Sequence, residues 1–433
     1  MFVLGGILVV VVVSITLLIV WYRMGLSNGR KVDEDSFAEM DIRLQNVDLE
    51  TIESDKDTEF VGNEVVVFDD GKETSYSDVG IKGHGNSTWR KDKKPFQLKF
   101  EHKTNLFGLA NVKKWLLLAN RFDASQLRND AAFYFARMIN MEYAINGKFL
   151  ELSIDGDYRG LYYIVPKITI NKNSVDLRSS LGILVEADNL HGKEKGCYYS
   201  NHGVCLTMED TVDENNGVLA MKQFVADFSK FEIAAEKKNY EEVADLVDIE
   251  SFVKYYLLNE FTVNPDAYTT SWYMYKDGAD DKIHAGPGWD YDYALGNREW
   301  FWASSEDFYS PELDMIRKSD AIGEDLVVDG EVVERDPDYS ISRIMIWLMD
   351  MPQFREEVKK VFRNTLSGRK MELLTHIKVQ AMKIRPALSR DSGRWGQVEY
   401  EAEIEYLLNW VDRRFEHFEE TYGNGERNNV QFQ

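Results

Sequence analysis

The chain has 433 residues, 44% of them apolar and 13% aromatic, enough for one large domain or two ordinary ones and too rich in core formers for a disordered chain. Its formal net charge of -23 disfavours nucleic acid as a partner. No cysteine or histidine spacing of the zinc type is present.

The first 22 residues, MFVLGGILVVVVVSITLLIVWY, contain no charged side chain. They are long enough to span a bilayer once, with Trp21 and Tyr22 at an interface. A signal peptide competes with this reading, but it wants a basic start and a small-residue cleavage site. Residues 1–22 are therefore expected to be a single-pass transmembrane anchor. Arg23, Arg30 and Lys31 follow the span and by the positive-inside rule would hold the large domain in the cytoplasm. Against this, Cys197 and Cys205 are close enough to bridge across a hairpin, which suits an oxidising compartment; two unpaired thiols fit equally well.

Residues 23–55 read as a polar linker, with DSFAEMDIRL as a helical stretch. The folded domain is expected over 56–425 and a polar tail over 426–433. Strand patterns follow at EFVGNEVVVFDD, SYSDVGIKGHG and KPFQLKFE. A helix is predicted over 123–141, capped by the Asp123–Ser125 segment. KFLELSID, RGLYYIVPKI and GILVEAD are further strands. From about residue 215 helices dominate, interrupted by the hairpin pattern TSWYMYKDGADDKIHAGPGWDYD. The remainder from 340 to 422 reads as helical. Strands early and helices late describe an α+β chain, with a β-rich lobe followed by a helical lobe and a cleft between them.

Four stretches carry candidate chemistry. In GIKGHGNSTWRKDKKPFQLKF, Gly83 and Gly85 allow a bend that exposes backbone N–H groups, and Asn86 and Ser87 add donors. The five cations Arg90, Lys91, Lys93, Lys94 and Lys99 suit a polyphosphate; a tight hairpin with a solvated basic flank fits the same residues. In NRFDASQLRND, Arg128 near a helix start reaches a phosphate, or is a surface charge beside a cap. In NEFTVNPDAYTTSWYMY, Pro265 ends a helix and leaves Asp266 in a loop before a strand. In GPGWDYDYALGN, the second arm of that hairpin, Asp290 and Asp292 share a strand face and converge on a hard cation.

These segments, in this order, resemble the CotH kinase family, the spore-coat-protein-H-like atypical protein kinases. GHGNSTW with KKPFQLKF, KKWLLLANRFDASQLRN, GLYYI, NEFTVNPDAYTTSWYMY and GPGWDYDYALGN carry the resemblance. It implies a divergent kinase-like fold and ATP-dependent phosphorylation of protein Ser/Thr with Mg2+ or Mn2+. Under it Asp266 is the catalytic-loop acid. Asp290 is the metal-binding acid, with Asp292 second and Ser271 where ordinary kinases place a metal-binding Asn. The Gly83–Ser87 loop covers phosphates, with Lys99 as the phosphate-pairing lysine and Lys94 as its neighbour. The usual Lys–Glu pair has no obvious acid; Glu151 and Glu186 are substitutes. The family also implies a domain on the cell-surface or spore-envelope side. An inactive binding or assembly protein of the same fold, or a glycosidase built on the Asp266–Asp290 pair, are the rival functions.

Overall fold

A computed structural model describes residues 37–189, 191–268, 270–297, 305, 326–328, 331–333, 342–396 and 399–423. The expected membrane span and the 426–433 tail lie outside them. Among the described residues, no helix is long and apolar enough to cross a membrane.

Seven strands form a closed barrel: β1 (Glu39–Arg43), β2 (Phe60–Asp69), β3 (Lys72–Gly83), β4 (Phe96–Leu106), β5 (Ala110–Leu118), β6 (Lys148–Ile154) and β7 (Asp157–Pro166). Their order is β1-β2-β3-β4-β5-β7-β6, and β1 closes the ring by running parallel to β6. Alternation along the strands fills the interior: Val65 and Val67 of β2, Leu98 of β4, Trp115 and Leu117 of β5 and Leu150 and Leu152 of β6 all lie in one core.

The stretch DSFAEMDIRL corrects the sequence expectation. It forms β1 rather than a helix, and part of the expected linker is built into the barrel. The physical reason is its period of two: Ala38, Met40 and Ile42 are buried while Glu39 and Arg43 between and beyond them point outward.

A second sheet stands beside the barrel. β8 (Gly182–Ala187), β9 (Tyr198–Tyr199), β10 (Cys205–Thr211), β11 (Trp272–Asp277) and β12 (His284–Ala285) take the order β12-β11-β8-β10-β9. The helical lobe therefore has its own sheet, which the early-strand, late-helix reading did not anticipate. Its expected hairpin is present, with Met274 opposite Ala285. Cys197 and Cys205 are joined by a disulfide.

The helix after β5 is shorter than expected. After α1 (Leu49–Ser54) between β1 and β2, it is α2 (Arg128–Met138), because the carboxylate of Asp123 holds residues 123–128 in a turn, accepting from the N–H groups of Ser125 and Arg128 at 2.9 and 2.7 Å. The helices α3 (Gly192–Lys195), α4 (Gly217–Glu236), α5 (Tyr240–Leu246) and α6 (Ile249–Thr262) follow. The C-terminal run comprises α7 (Ser342–Asp350), α8 (Pro352–Thr365), α9 (Lys370–Trp395) and α10 (Tyr400–Phe418), in agreement with the helical pattern of that segment. One large apolar core unites these helices with the second sheet. β5 and β7 serve both cores: Leu116, Leu161 and Tyr163 face the large one, while Trp115, Leu117 and Tyr162 face the barrel.

The long helix α9 packs back onto the barrel through polar contacts. Asp391, buried, accepts from the backbone N–H of Leu161 at 2.8 Å and from the Tyr400 hydroxyl at 2.9 Å. Its carboxylate also pairs with the Lys93 ammonium at 2.8 Å, both side chains nearly inaccessible. Lys93 donates in addition to the carbonyl of Leu161 at 2.6 Å. Arg390 forms a bidentate pair with Glu151. Removing one half of such a pair strands a charge away from water. Asp391→Ala is therefore expected to cost about 3–5 kcal/mol in urea unfolding, whereas the double replacement Lys93→Met with Asp391→Leu should lose clearly less than Asp391→Ala alone.

Candidate active site

Helix α6 stops because Val263 adopts a left-handed conformation, φ 50 and ψ 55, and its N–H bonds the carbonyl of Asn259. A β-branched residue in that region is strained, by about 1–3 kcal/mol, and such residues gather where a loop is over-determined by its surroundings. Tyr268 and Ser271 in the same loop also have positive φ, as do Asp290 and Leu295 in the loop after β12. Asp290 and Asp292 thus do not lie on a strand face as expected. The backbone leaves the sheet at the cis Gly286–Pro287 bond, and the loop conformation, not strand alternation, turns both acids inward.

They line one cavity of about 420 Å3 between barrel and second sheet. Its walls include Asp266, Ser271, Asp290 and Asp292 on one side and Lys82, Gly83, His84, Gly85, Asn86 and Ser87 from the end of β3 on the other. Asp266 and Asp290, at the two ends of the hairpin, line the same cavity. The Ser271 hydroxyl donates to Asp290 Oδ2 at 3.4 Å. Asn264 ties the two acidic loops together. Its amide nitrogen donates to the Asp290 carbonyl at 3.0 Å, and its Oδ1 accepts from the Asp266 N–H at 3.1 Å.

Desolvation, and then the charge of Asp266, push the Asp290 carboxyl up to about 7. Desolvation, then Asp290 and Asp266, hold Asp292 well above the usual carboxylate range. Crowded carboxylates of this kind favour a bound cation or proton. Asp266, Asp290, Asp292 and Ser271 offer carboxylate and hydroxyl oxygens on this side of the cavity, a set that fits a hard divalent cation. Among the described residues, no three His, Cys, Asp or Glu side chains already form a metal cage.

Both glycines of the opposite wall are required. A Cβ on Gly83 would lie 2.7 Å from Lys56 and Trp89 side-chain atoms, and one on Gly85, at φ +75, would lie 2.1 Å from Thr88 Oγ1. Asn86 and Ser87 are exposed at the rim, and Asn86 Oδ1 accepts from Lys56 at 3.2 Å.

The cations are not those the sequence pointed to. Lys99 lies outside the cavity, exposed and paired with Glu59 at 2.9 Å, because Leu98 and Phe100 beside it face the barrel core. Lys94 donates to the Trp89 carbonyl at 2.8 Å and sits over the Trp89 ring. Lys93 is consumed by Asp391. Arg128 is fully buried against Asp123 and Ser125, its charge spent on the turn before α2 rather than on the cavity. Lys82 and Lys167 take their place on the cavity wall. Burial lowers the Lys167 ammonium, partly offset by Glu209. His84 is pushed down to about 3 by desolvation and then by Lys167 and Lys82, and so stays neutral.

A third group completes the wall. Glu186 on β8 accepts from Lys195 at 2.6 Å, and Lys195 also reaches Glu209 at 3.2 Å. Of the two substitutes for the kinase acid, Glu186 lines the cavity, whereas Glu151 is engaged with Arg390 and Tyr158 elsewhere. Asp188, one residue past β8, accepts from the Thr270 hydroxyl at 2.9 Å. Sequence reasoning missed Lys82, Lys167, Asp188 and Lys195. The available signal was position: Lys167 and Asp188 stand just beyond the ends of β7 and β8, where side chains emerge from a buried strand.

No curated protein matches the chain. The crystal structure of a Helicobacter pylori proinflammatory kinase, CtkA, is similar over 72% of this chain and 94% of that one, at 8% identity and a TM-score of 0.23, an overlap that carries no weight here. The family model described as CotH kinase protein matches residues 81–418. With that match running from the end of β3 to the last turn of α10, the chain belongs to the CotH kinase family.

Proposed function

We propose that the chain transfers the γ-phosphate of ATP to Ser or Thr hydroxyls of a protein substrate, with Mg2+ or Mn2+. The observation that carries this reading is a shared cavity in which Asp266, Asp290, Asp292 and Ser271 face a glycine-built loop flanked by Lys82 and Lys167. Phosphoryl transfer asks little covalent work of a protein and needs positioning, metal and cationic groups around the phosphates. A bound divalent cation supplies neutralisation of phosphate charge. Asp290, with Asp292 and Ser271, would hold it. Asp266 orients the acceptor hydroxyl and takes its proton. Lys82 and Lys167 pair with phosphate oxygens, and the Gly83–Ser87 backbone covers them. A glycosidase has no use for that cationic, glycine-built wall.

The domain is proposed to act outside the cytoplasm, tethered through residues 1–22; the Cys197–Cys205 bond supports this reading because such bonds persist in oxidising compartments. In protein purified without reductant, a maleimide is expected to label no cysteine, and after reduction two. Labelling of both before reduction would remove that support.

With γ-labelled ATP and Mn2+, the full chain is expected to transfer label to itself or to a generic basic protein. Asp266→Ala and Asp290→Ala should each lose at least about 100-fold of that rate. ATP binding without transfer in the wild type would favour an inactive scaffold; absence of ATP binding would exclude the kinase.

Asp290, raised to about 7, must lose its proton before it can ligate. Its protonated fraction rises as pH falls, so competition with the metal rises too. Mn2+ affinity, measured by calorimetry, is expected to be about tenfold weaker at pH 6 than at pH 8.

A further inference from the structure

We propose that Asn264 is the positioning residue of this site: its side-chain amide sets the spacing between Asp266 and Asp290 and so determines how the site takes a metal. The inference rests on the kinase reading above and adds a residue to it.

The geometry is specific. Asn264 is 2% exposed and lies between left-handed Val263 and Pro265. Neither neighbour leaves the backbone free to adjust. Its side chain spends one donor on the carbonyl of Asp290 and one acceptor on the N–H of Asp266. The two bonds run to different loops, one leaving α6 and one leaving β12. One backbone hydrogen bond, from Leu295 N–H to the Thr262 carbonyl at 2.6 Å, also joins the end of α6 to the loop after β12, but it involves neither acid, whereas the Asn264 side chain contacts the backbone of both. The Asp290 carbonyl points at Asn264 only because Asp290 is itself left-handed, at φ 67. The amide therefore bridges the backbones of two residues whose carboxylates repel each other.

Asparagine suits this task because it offers a donor and an acceptor on one short, rigid group. Aspartate has nearly the same shape and keeps the acceptor for Asp266 N–H, but it has no donor for the Asp290 carbonyl. Alanine has neither. A misplacement of about 1 Å in such a constellation costs roughly 100-fold in rate, and loss of a residue that orients a metal ligand costs about 10–100-fold in metal affinity.

The test uses the full chain and three variants, Asn264→Ala, Asn264→Asp and Asn63→Ala. Asn63 is a comparison from the barrel, equally buried and also bonded to loop and strand backbone. Mn2+ binding to the nucleotide-free protein is read by calorimetry, thermal midpoints by melting, and kcat and KM for ATP by label transfer. Both Asn264 variants are expected to bind Mn2+ about tenfold or more weakly and to lose about 100-fold in kcat, with KM for ATP changed less than about threefold. Asn63→Ala should lower the melting temperature and leave Mn2+ affinity unchanged. If Asn264→Asp, or a folded Asn264→Ala, melts lower but binds Mn2+ and turns over like wild type, Asn264 is only structural and the proposal fails while the kinase reading stands. If wild type binds neither Mn2+ nor ATP, both fail together.

Discussion

The site exists because three carboxylates are held close together where water is scarce. The charge of Asp266 raises the proton affinity of Asp290 and Asp292, and Asp290 raises that of Asp292; left to themselves the three would separate. The surrounding structure prevents this. A left-handed valine ends α6, a left-handed Asp290 turns the second loop, and Asn264 joins the two loops directly. Part of the folding free energy is therefore held as strain and like-charge repulsion at one place.

The opposite wall is built differently. Its glycines are there for space, and its lysines come from strand ends rather than from the basic run that follows the glycine loop. That run has another task. Lys93 enters the protein to meet Asp391, Lys94 caps a turn at Trp89, and Lys99 meets Glu59 on the outside of the barrel. A sequence of closely spaced cations thus became a set of fasteners, and the charge on the cavity wall includes Lys82 and Lys167 instead, of which only Lys167 carries a positional signal, just past the end of β7.

This division explains what could be read from the chain alone. Asp266, Asp290 and the hairpin between them were legible because helix stop, turn and strand follow one another within about thirty residues, and local rules govern each. Most strands and all the late helices were legible for the same reason. The roles of Lys99 and Arg128 were not, since a lysine's partner is chosen by tertiary packing. Glu59 lies forty positions before Lys99. Arg128 looked like a free cation until the turn at Asp123 closed on it. The strand at Glu39–Arg43 was misread because a short alternating run in a polar setting looks like a linker until β6 and β2 supply its edges.

The return of α9 to the barrel has a consequence for how the molecule comes into being. Arg390 finds Glu151 across 239 positions, and Arg121 finds the Trp395 carbonyl across 274. A barrel emerging first from the ribosome would carry Lys93 without its counter-ion, and β7 without its cover, until nearly the whole chain had been made. The wall of the cavity that depends on β7 would be among the last parts to settle. A partly synthesised or truncated chain could then hold most of its strands and still lack a finished place for a ligand.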